Sequence, residues 1–245
     1  LTFPMSVGAT AVLFPDRVVP PAAVSIAKQH SVTVFCGAPT LYGGILAAGL
    51  ADGLNASALR LCVSAGEGLP ASIAEAWSNA TGIEIIDGIG STEMLHIYIS
   101  NRPGDVVRGT TGKPVAGYEV KLIDETGAPV GVGEFGELCV RGPTMTPYYW
   151  NQPEKTKSTF VNGWMHTGDK FVCDAAGRYT HCGRVDDMLK VSGNWVSPSE
   201  VESALVAHEE VLEAAVVGML DEAGLVKSMA FIVCKPGVEV GDALA

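Results

Sequence analysis

Three things are scarce or missing here: paired cysteines at metal spacing, long apolar runs and basic charge. The six cysteines (Cys36, Cys62, Cys139, Cys173, Cys182, Cys234) contain no CxxC pair. Most sit in apolar contexts such as "LCV" and "FIVC", which reads as free, buried thiols in a reducing cytosol and points to a cytoplasmic protein. Cys173, His181 and Cys182 with His166 match no common zinc spacing, so a metal cluster there is not expected. No apolar stretch reaches the ~18 residues that a membrane-spanning helix needs. Lys and Arg number 16 against 27 Asp and Glu, a net charge of −11. That balance argues against a nucleic-acid groove or a docking face for anionic lipid. An anionic ligand must then be held by local features, not by the general field.

What is present is the makeup of a globular protein: 245 residues, 47% hydrophobic, with 29 Gly and 14 Pro. The first third alternates strand-like and helix-like stretches. "GATAVLFP" reads as a strand, "PPAAVSIAKQH" as a helix opened by proline, then "VTVFCGAPT", "LYGGILAAGL", "LRLCVSAGEGLP", "ASIAEAWSNAT" and "IEIIDGIGSTE". The strand-like runs are apolar at consecutive positions. That is the pattern of strands buried on both faces, hence a parallel sheet covered by helices. Ligands in such sheets gather where loops leave the carboxyl ends of strands. Two loops qualify, Ser64 to Pro70 and Asp87 to Glu93.

From about Pro103 the pattern changes to hairpins, "YEVKLIDETGAPVGVGEFGELCVRGP" and "GWMHTGDKFVCDAAGRYTHCGR". After "GRVDD" comes a helix with its start written into the sequence: Ser197 as cap, Pro198 in the first turn, Glu200 completing a capping box. "EAAVVGML" and "MAFIVCKP" read as strands. The expected fold is therefore α/β: a parallel sheet with flanking helices, an antiparallel β subdomain, then the start of a small α+β unit. The expected bounds are 1–108, 109–185 and 186–245. The chain opens at Leu1 without a basic leader and ends as a further helix begins in "GVEVGDALA", so it reads as part of a longer protein.

Singly, these loops are weak signals. Together, "SAGEGLP", "DGIGSTE", "GWMHTGDK" and "GRVDDMLKVSGNWVSPSEVE" resemble, in order, the central and late motifs of the acyl-adenylate-forming (AMP-binding) ligases. "GIGSTEMLHIYISNRPGD", "GTTGKPVAGYE" and "DDMLKVSGNWVSPSEVESALVAHE" look most like benzoate–CoA and related aryl-CoA ligases. The resemblance implies an AMP-forming carboxylate–CoA ligase using ATP, Mg2+ and coenzyme A. A carboxylate attacks the α-phosphate of ATP, pyrophosphate leaves, and the CoA thiol then displaces AMP. Small molecules are the implied partners, with a homodimer the one macromolecular association left open. A substituted benzoate or a fatty acid is the alternative substrate, and a non-catalytic nucleotide-binding fragment the alternative role.

The resemblance also implies residue roles. Gly66, Glu67 and Gly68 line the adenine face, with Gly88 beside them. Asp87 accepts from the adenine amino group. Thr92 offers a hydroxyl to the α-phosphate and Glu93 ligates Mg2+. Asp169 accepts from the ribose hydroxyls, and Arg184 reaches the ribose or phosphate. Asp186 is the hinge of the small C-terminal unit, and Lys190 to Trp195, through Gly193, form the loop for the thioester half-reaction. Ala65, Gly66, Gly90, His96 and Ile97 shape the acyl pocket, with His96 equally readable as a packed helix residue.

"RGTTGKPVAGYE" imitates a phosphate loop, but Val107-Arg108 and Val115 stand where the family's phosphate loop has small hydroxyl residues and a lysine. It also follows "GSTE" instead of preceding it. It is expected to be a turn between subdomains, with Lys113 no phosphate ligand. The phosphate loop and the adenylation lysine are then expected outside this chain, leaving the isolated chain impaired or inactive.

Overall fold

The computed structural model describes residues 2–55, 58–185, 187–191, 194–221 and 225–238. Asp186 and Gly193 lie outside the described residues, as does the final helix expected in "GVEVGDALA".

The first layer runs α1 (Thr2–Ser6), α2 (Pro20–Gln29), β1 (Val34–Gly37), α3 (Pro39–Ala47), α4 (Asp52–Asn55), β2 (Leu61–Ser64), α5 (Ala71–Thr81), β3 (Ile85–Gly90), β4 (Ile97–Ser100) and β5 (Lys113–Pro114). These strands form one sheet in sequence order. Residues 85–88 of β3 are all buried, as a central strand covered on both faces requires. Beneath the sheet Tyr42, Ile45, Leu54, Cys62, Trp77 and Ile85 form the centre of a core. Tyr42 stacks edge-on against Trp77 with centroids 4.7 Å apart, and its hydroxyl donates to the Val63 carbonyl at 2.9 Å. Proline starts α2 and α3 where its missing N–H costs nothing, and Gly82 at φ +73° ends α5 in the left-handed turn that glycine favours.

Three expectations need correction. The sheet is parallel only across β1–β3; β4 and β5 run antiparallel. Residues 91–96 alone join β3 to β4, too few for a parallel crossover of a dozen or more residues, so the chain must fold straight back. "GATAVLFP" is not a strand: its residues join no ladder, and Leu13 is 73% exposed. Strand propensity becomes a strand only where a partner edge lies alongside. Finally, His96 is not helical. Thr92–Met94 makes a single 3-10 turn, Leu95 reverses at φ +68°, and β4 begins at Ile97.

The second layer is β6 (Glu119–Ile123), β7 (Phe135–Arg141), α6 (Pro153–Thr159), β8 (Phe160–Val161), β9 (Trp164–Cys173) and β10 (Tyr179–Arg184). Its strand order is β10-β9-β7-β6, with β8 on β9. Both expected hairpins form. Asp124 Oδ1 accepts from Thr126 N–H at 2.8 Å and Ala128 N–H at 2.9 Å. Asp174 Oδ1 accepts from Ala176 N–H and Arg178 N–H, each at 2.8 Å. Met94, Tyr98 and Ile99 from the first sheet share a core with Leu138, Val140, Met165 and Phe171 of the second.

The "GTTGKP" turn stitches the two sheets together. Lys113–Pro114 pairs with β4, while Thr111 N–H donates to the Tyr179 carbonyl and Tyr179 N–H to the Gly112 carbonyl, both at 2.8 Å. Gly112 sits at φ +99°, and a Cβ there would stand 2.2 Å from Asn101 N. Glycine is thus required by backbone approach, not by a phosphate.

The third unit is β11 (Leu189–Val191), β12 (Asn194–Val196), α7 (Pro198–Val206), β13 (Val211–Leu220) and β14 (Val226–Cys234). Ser197 caps α7 by accepting from Glu200 N–H at 3.2 Å, and it donates to the Cys182 carbonyl on β10. Among the described residues no helix is long and apolar enough to cross a membrane.

Candidate functional site

A cleft of about 1870 Å³ opens where the three units meet. Its first wall comes from the carboxyl ends of β2 and β3. The loop after Ser64 reverses at Gly66 (φ +100°), where no atom lies within 4 Å of a would-be Cβ. Asp87 stands on β3 in register with Ser64. It is buried, and its Oδ1 has no hydrogen-bond partner among the described residues. Burial pushes its carboxyl up to about 7, against the opposing pull of the Gly88 N–H, the Ser64 hydroxyl and the Leu69 N–H. The Ser64 hydroxyl is near enough to favour the charged form but makes no well-formed hydrogen bond.

The second wall is the β9–β10 ladder. Asp169 on β9 stands opposite Arg184 on β10, and Arg184 Nη1 donates to Asp169 Oδ1 at 3.2 Å. His181 Nε2 lies 3.8 Å from the same oxygen, on the strand side where a bulge separates His181 from Gly183. The backbone before Asp169 is fixed from behind. Gly168 N–H donates to Glu137 Oε1 at 3.3 Å, and Asp169 N–H to Thr167 Oγ1 at 3.0 Å. That hydroxyl in turn donates to the Leu138 carbonyl at 2.9 Å.

Glu93 completes the floor. Its Oε1 accepts from the Tyr149 hydroxyl at 2.5 Å, and its carbonyl from Thr146 N–H at 2.7 Å. Burial raises its carboxyl, but this is outweighed by Tyr149, its own N–H, the Ser91 hydroxyl and the Lys155 charge, so the net shift is downward. Tyr98 is fully buried between the two acids. Its hydroxyl is pushed up by burial first and then by the charges of both Asp169 and Glu93. The two carboxylates therefore face one space.

Of the residues singled out from the sequence, Gly66, Glu67, Gly68, Asp87, Gly88, Gly90, Glu93, Asp169, Arg184 and Lys190 line this cleft. Ala65, Thr92, His96 and Ile97 do not. Thr92 and His96 are exposed, and the His96 ring packs on Phe3 with centroids 4.1 Å apart. Ile97 instead packs over Gly88, where a Cβ would meet it at 3.1 Å. Lys113 lies at a separate small cavity of about 230 Å³, 3.6 Å from Asp105. Among the described residues no group of three or more His, Cys, Asp or Glu is placed to hold a metal by itself. The sequence reading missed Tyr98, Tyr149, Lys155 and His181, which all line the cleft. Tyr149 sits 56 residues from Glu93, so no local spacing announces it.

The profile of the AMP-binding enzyme family matches residues 1–150, and that of the AMP-binding enzyme C-terminal domain matches residues 200–245. The chain belongs to the AMP-binding enzyme family. A benzoate–CoA ligase of Thauera aromatica is 53% identical over all 245 residues, which make up 46% of that protein. A 4-hydroxybenzoate–CoA/benzoate–CoA ligase of Rhodopseudomonas palustris is 48% identical over 94% of the chain and 43% of the relative. An anthranilate CoA ligase solved with anthranoyl-AMP superposes with a TM-score of 0.95 at 48% identity, covering 100% of this chain and 48% of that one. A benzoate CoA ligase from Burkholderia xenovorans LB400 gives a TM-score of 0.91, also at 48% identity, covering 100% of this chain and 49% of that one. This AMP-binding enzyme chain spans about half the length of the curated relatives it matches.

Proposed function

We propose that this chain supplies the nucleotide-gripping half of an AMP-forming aryl-acid CoA ligase, with benzoate as the favoured acid. One observation carries the reading: Asp87 and Glu93, from one stretch, and Asp169, about 75 residues further on, open into a single cleft. Two of the three carry features that match an adenylate. The unpartnered Asp87 Oδ1 is an acceptor waiting for a donor, and buried acceptors left empty cost ~1–3 kcal/mol. The exocyclic amino group of adenine supplies that donor. Gly66, with open space above it, lets the purine face lie against backbone. Asp169, anchored from behind, accepts from the ribose hydroxyls, and Arg184 beside it reaches the ribose or phosphate.

Glu93 fits a magnesium ion as one of its few protein ligands. Mg2+ is commonly held by one or two carboxylates together with substrate phosphates, not by a closed protein cage. Held by Glu93, such an ion would supply Lewis-acid stabilisation of the charge that develops on the phosphates. The chain's own contribution is to orient: adenine by Asp87, ribose by Asp169 and Arg184, the triphosphate end by Glu93. Holding the carboxylate and α-phosphate in line converts a two-body encounter into a one-body step. Asp186 would hinge the third unit, and Lys190 would belong to the loop that meets CoA in the second step. Thr92 would offer its hydroxyl to the α-phosphate beside Ser91, which lines the cleft. Six free cysteines fit a cytoplasmic setting.

The test is benzoate-dependent exchange of labelled pyrophosphate into ATP by the full-length protein that carries this chain. Exchange that ignores aryl acids would overturn the reading. The likeness to an anthranilate ligase makes substituted benzoates the competing substrates, which a panel of acids in the same assay separates.

A further inference from the structure

We propose that Tyr149 sets which divalent cation the Glu93 carboxylate accepts, by occupying one of its two oxygens. This rests on the reading of Glu93 as the metal ligand. The Tyr149 hydroxyl donates to Glu93 Oε1 at 2.5 Å, the length of a strong bond to a charged acceptor. The phenol cannot easily swing away. Its backbone N–H donates to Thr156 Oγ1 at 2.9 Å. The Phe160 ring lies 5.5 Å from it, and Lys155 Nζ stands 4.3 Å over its face.

The acid is pinned from its own side as well. Its carbonyl accepts from Thr146 N–H at 2.7 Å, and the next carbonyl, Met94, accepts from Thr144 Oγ1 at 2.6 Å. The 144–149 segment and the turn carrying Glu93 are thus tied together at two points besides the phenol. The Glu93 N–H and the Ser91 hydroxyl also favour the charged carboxylate, but the Tyr149 bond is the one of full hydrogen-bond geometry to it among the described residues, so Oε1 is committed and Oε2 is the oxygen turned to other partners.

That division discriminates between cations. Mg2+ demands near-ideal octahedral geometry with ligands at ~2.0–2.1 Å, which a single carboxylate oxygen satisfies. Ca2+ takes 6–8 oxygens at ~2.3–2.6 Å and readily uses both oxygens of one carboxylate. Two-oxygen ligation here must share Oε1 with the Tyr149 hydrogen bond, which weakens one or the other, and that cost falls on the larger ion alone. The same phenol also fixes the rotamer of the acid, which serves the smaller ion.

The experiment is calorimetric titration of α,β-methylene-ATP into the full-length protein, in excess MgCl2 and separately in excess CaCl2. The wild type is expected to bind more tightly with Mg2+. Tyr149→Phe keeps the ring between Phe160 and Lys155 and removes only the donor. The ratio of the calcium to the magnesium Kd is expected to fall about tenfold, the size of one hydrogen bond to a charged group. A general loosening of the fold would move both constants together and leave the ratio unchanged. Tyr149→Leu, also without a donor, reads the same ratio if the Phe variant does not fold. Glu93→Gln separates the two claims. Metal dependence surviving in that variant would sink the Glu93 assignment and this proposal with it. Metal dependence lost in Glu93→Gln, with a ratio within twofold of wild type in the Tyr149 variants, would overturn the role of Tyr149 alone.

Discussion

Asp169→Ala is the perturbation whose size follows most directly from the structure. The side chain is 12% exposed, so water competes weakly for it. Its Oδ1 already receives Arg184 at 3.2 Å, while no hydrogen bond to Oδ2 occurs among the described residues. One ribose hydroxyl then finds an unshared charged acceptor and the other a shared one. A hydrogen bond to a charged group contributes ~1.5–3 kcal/mol, and sharing Oδ1 with Arg184 discounts the second, leaving roughly 3 kcal/mol for the pair. At ~1.4 kcal/mol per decade that is about a hundredfold in Kd for AMP. The assay is calorimetric AMP titration at pH 8, above the titration of Asp87. The matched ligand is 2′,3′-dideoxy-AMP. It is expected to bind wild type about as weakly as AMP binds the variant, and to lose almost nothing further in the variant. A variant within about threefold of wild type for AMP, or a wild type indifferent to the missing hydroxyls, would refute the ribose assignment.

Further outcomes follow from other residues. Ionised Asp87 accepts from an amino group, whereas the protonated acid donates to a carbonyl. AMP affinity should therefore rise, and inosine monophosphate affinity fall, as pH increases through about 7 in parallel titrations. The folded chain also keeps a proton on Asp87 that the unfolded chain releases above pH ~4, so this group's contribution to stability is complete below pH ~4 and declines toward pH 7. Asp87→Asn should melt higher than wild type by a margin that grows from pH 4 to pH 7 and is flat above it. Ser197→Ala removes the α7 cap and its tie to β10, at a cost of about 1–2 kcal/mol in chemical denaturation. Gly112→Ala forces a Cβ to 2.2 Å from Asn101 N at φ +99°, and should cost ~3 kcal/mol or more, read as loss of the folded fraction by circular dichroism.

The elements carrying a local signature were legible in the sequence. The helix cap at Ser197, the Asp-headed turns at Asp124 and Asp174, and the apolar residues of β3 are each written within a few residues. The acids singled out each stand close to a glycine in the sequence, Asp87 and Asp169 within strands and Glu93 in the turn after β3, and all three line the cleft. What escaped was set by distant partners. Tyr149 reaches Glu93 across 56 residues, and Arg184 stands opposite Asp169 only because a bulge after His181 shifts the register of β10. "GATAVLFP" carried the composition of a strand without an edge to pair with, and Thr92 stayed exposed once the 3-10 turn closed at Leu95. The acyl pocket drawn from His96 and Ile97 failed to reach the cleft for the same reason. Where the chain doubles back after Gly90 is decided by β4 pairing, not by the residues of the turn.

The account stands on adenylate formation by the protein that carries this chain. Benzoate labelled with 18O in its carboxylate, incubated with ATP, Mg2+, CoA and the full-length protein, tests it most directly by mass spectrometry of the released AMP. Attack of the carboxylate on the α-phosphate predicts one 18O atom in AMP for each benzoyl-CoA formed. Thioester appearing alongside unlabelled AMP would contradict it.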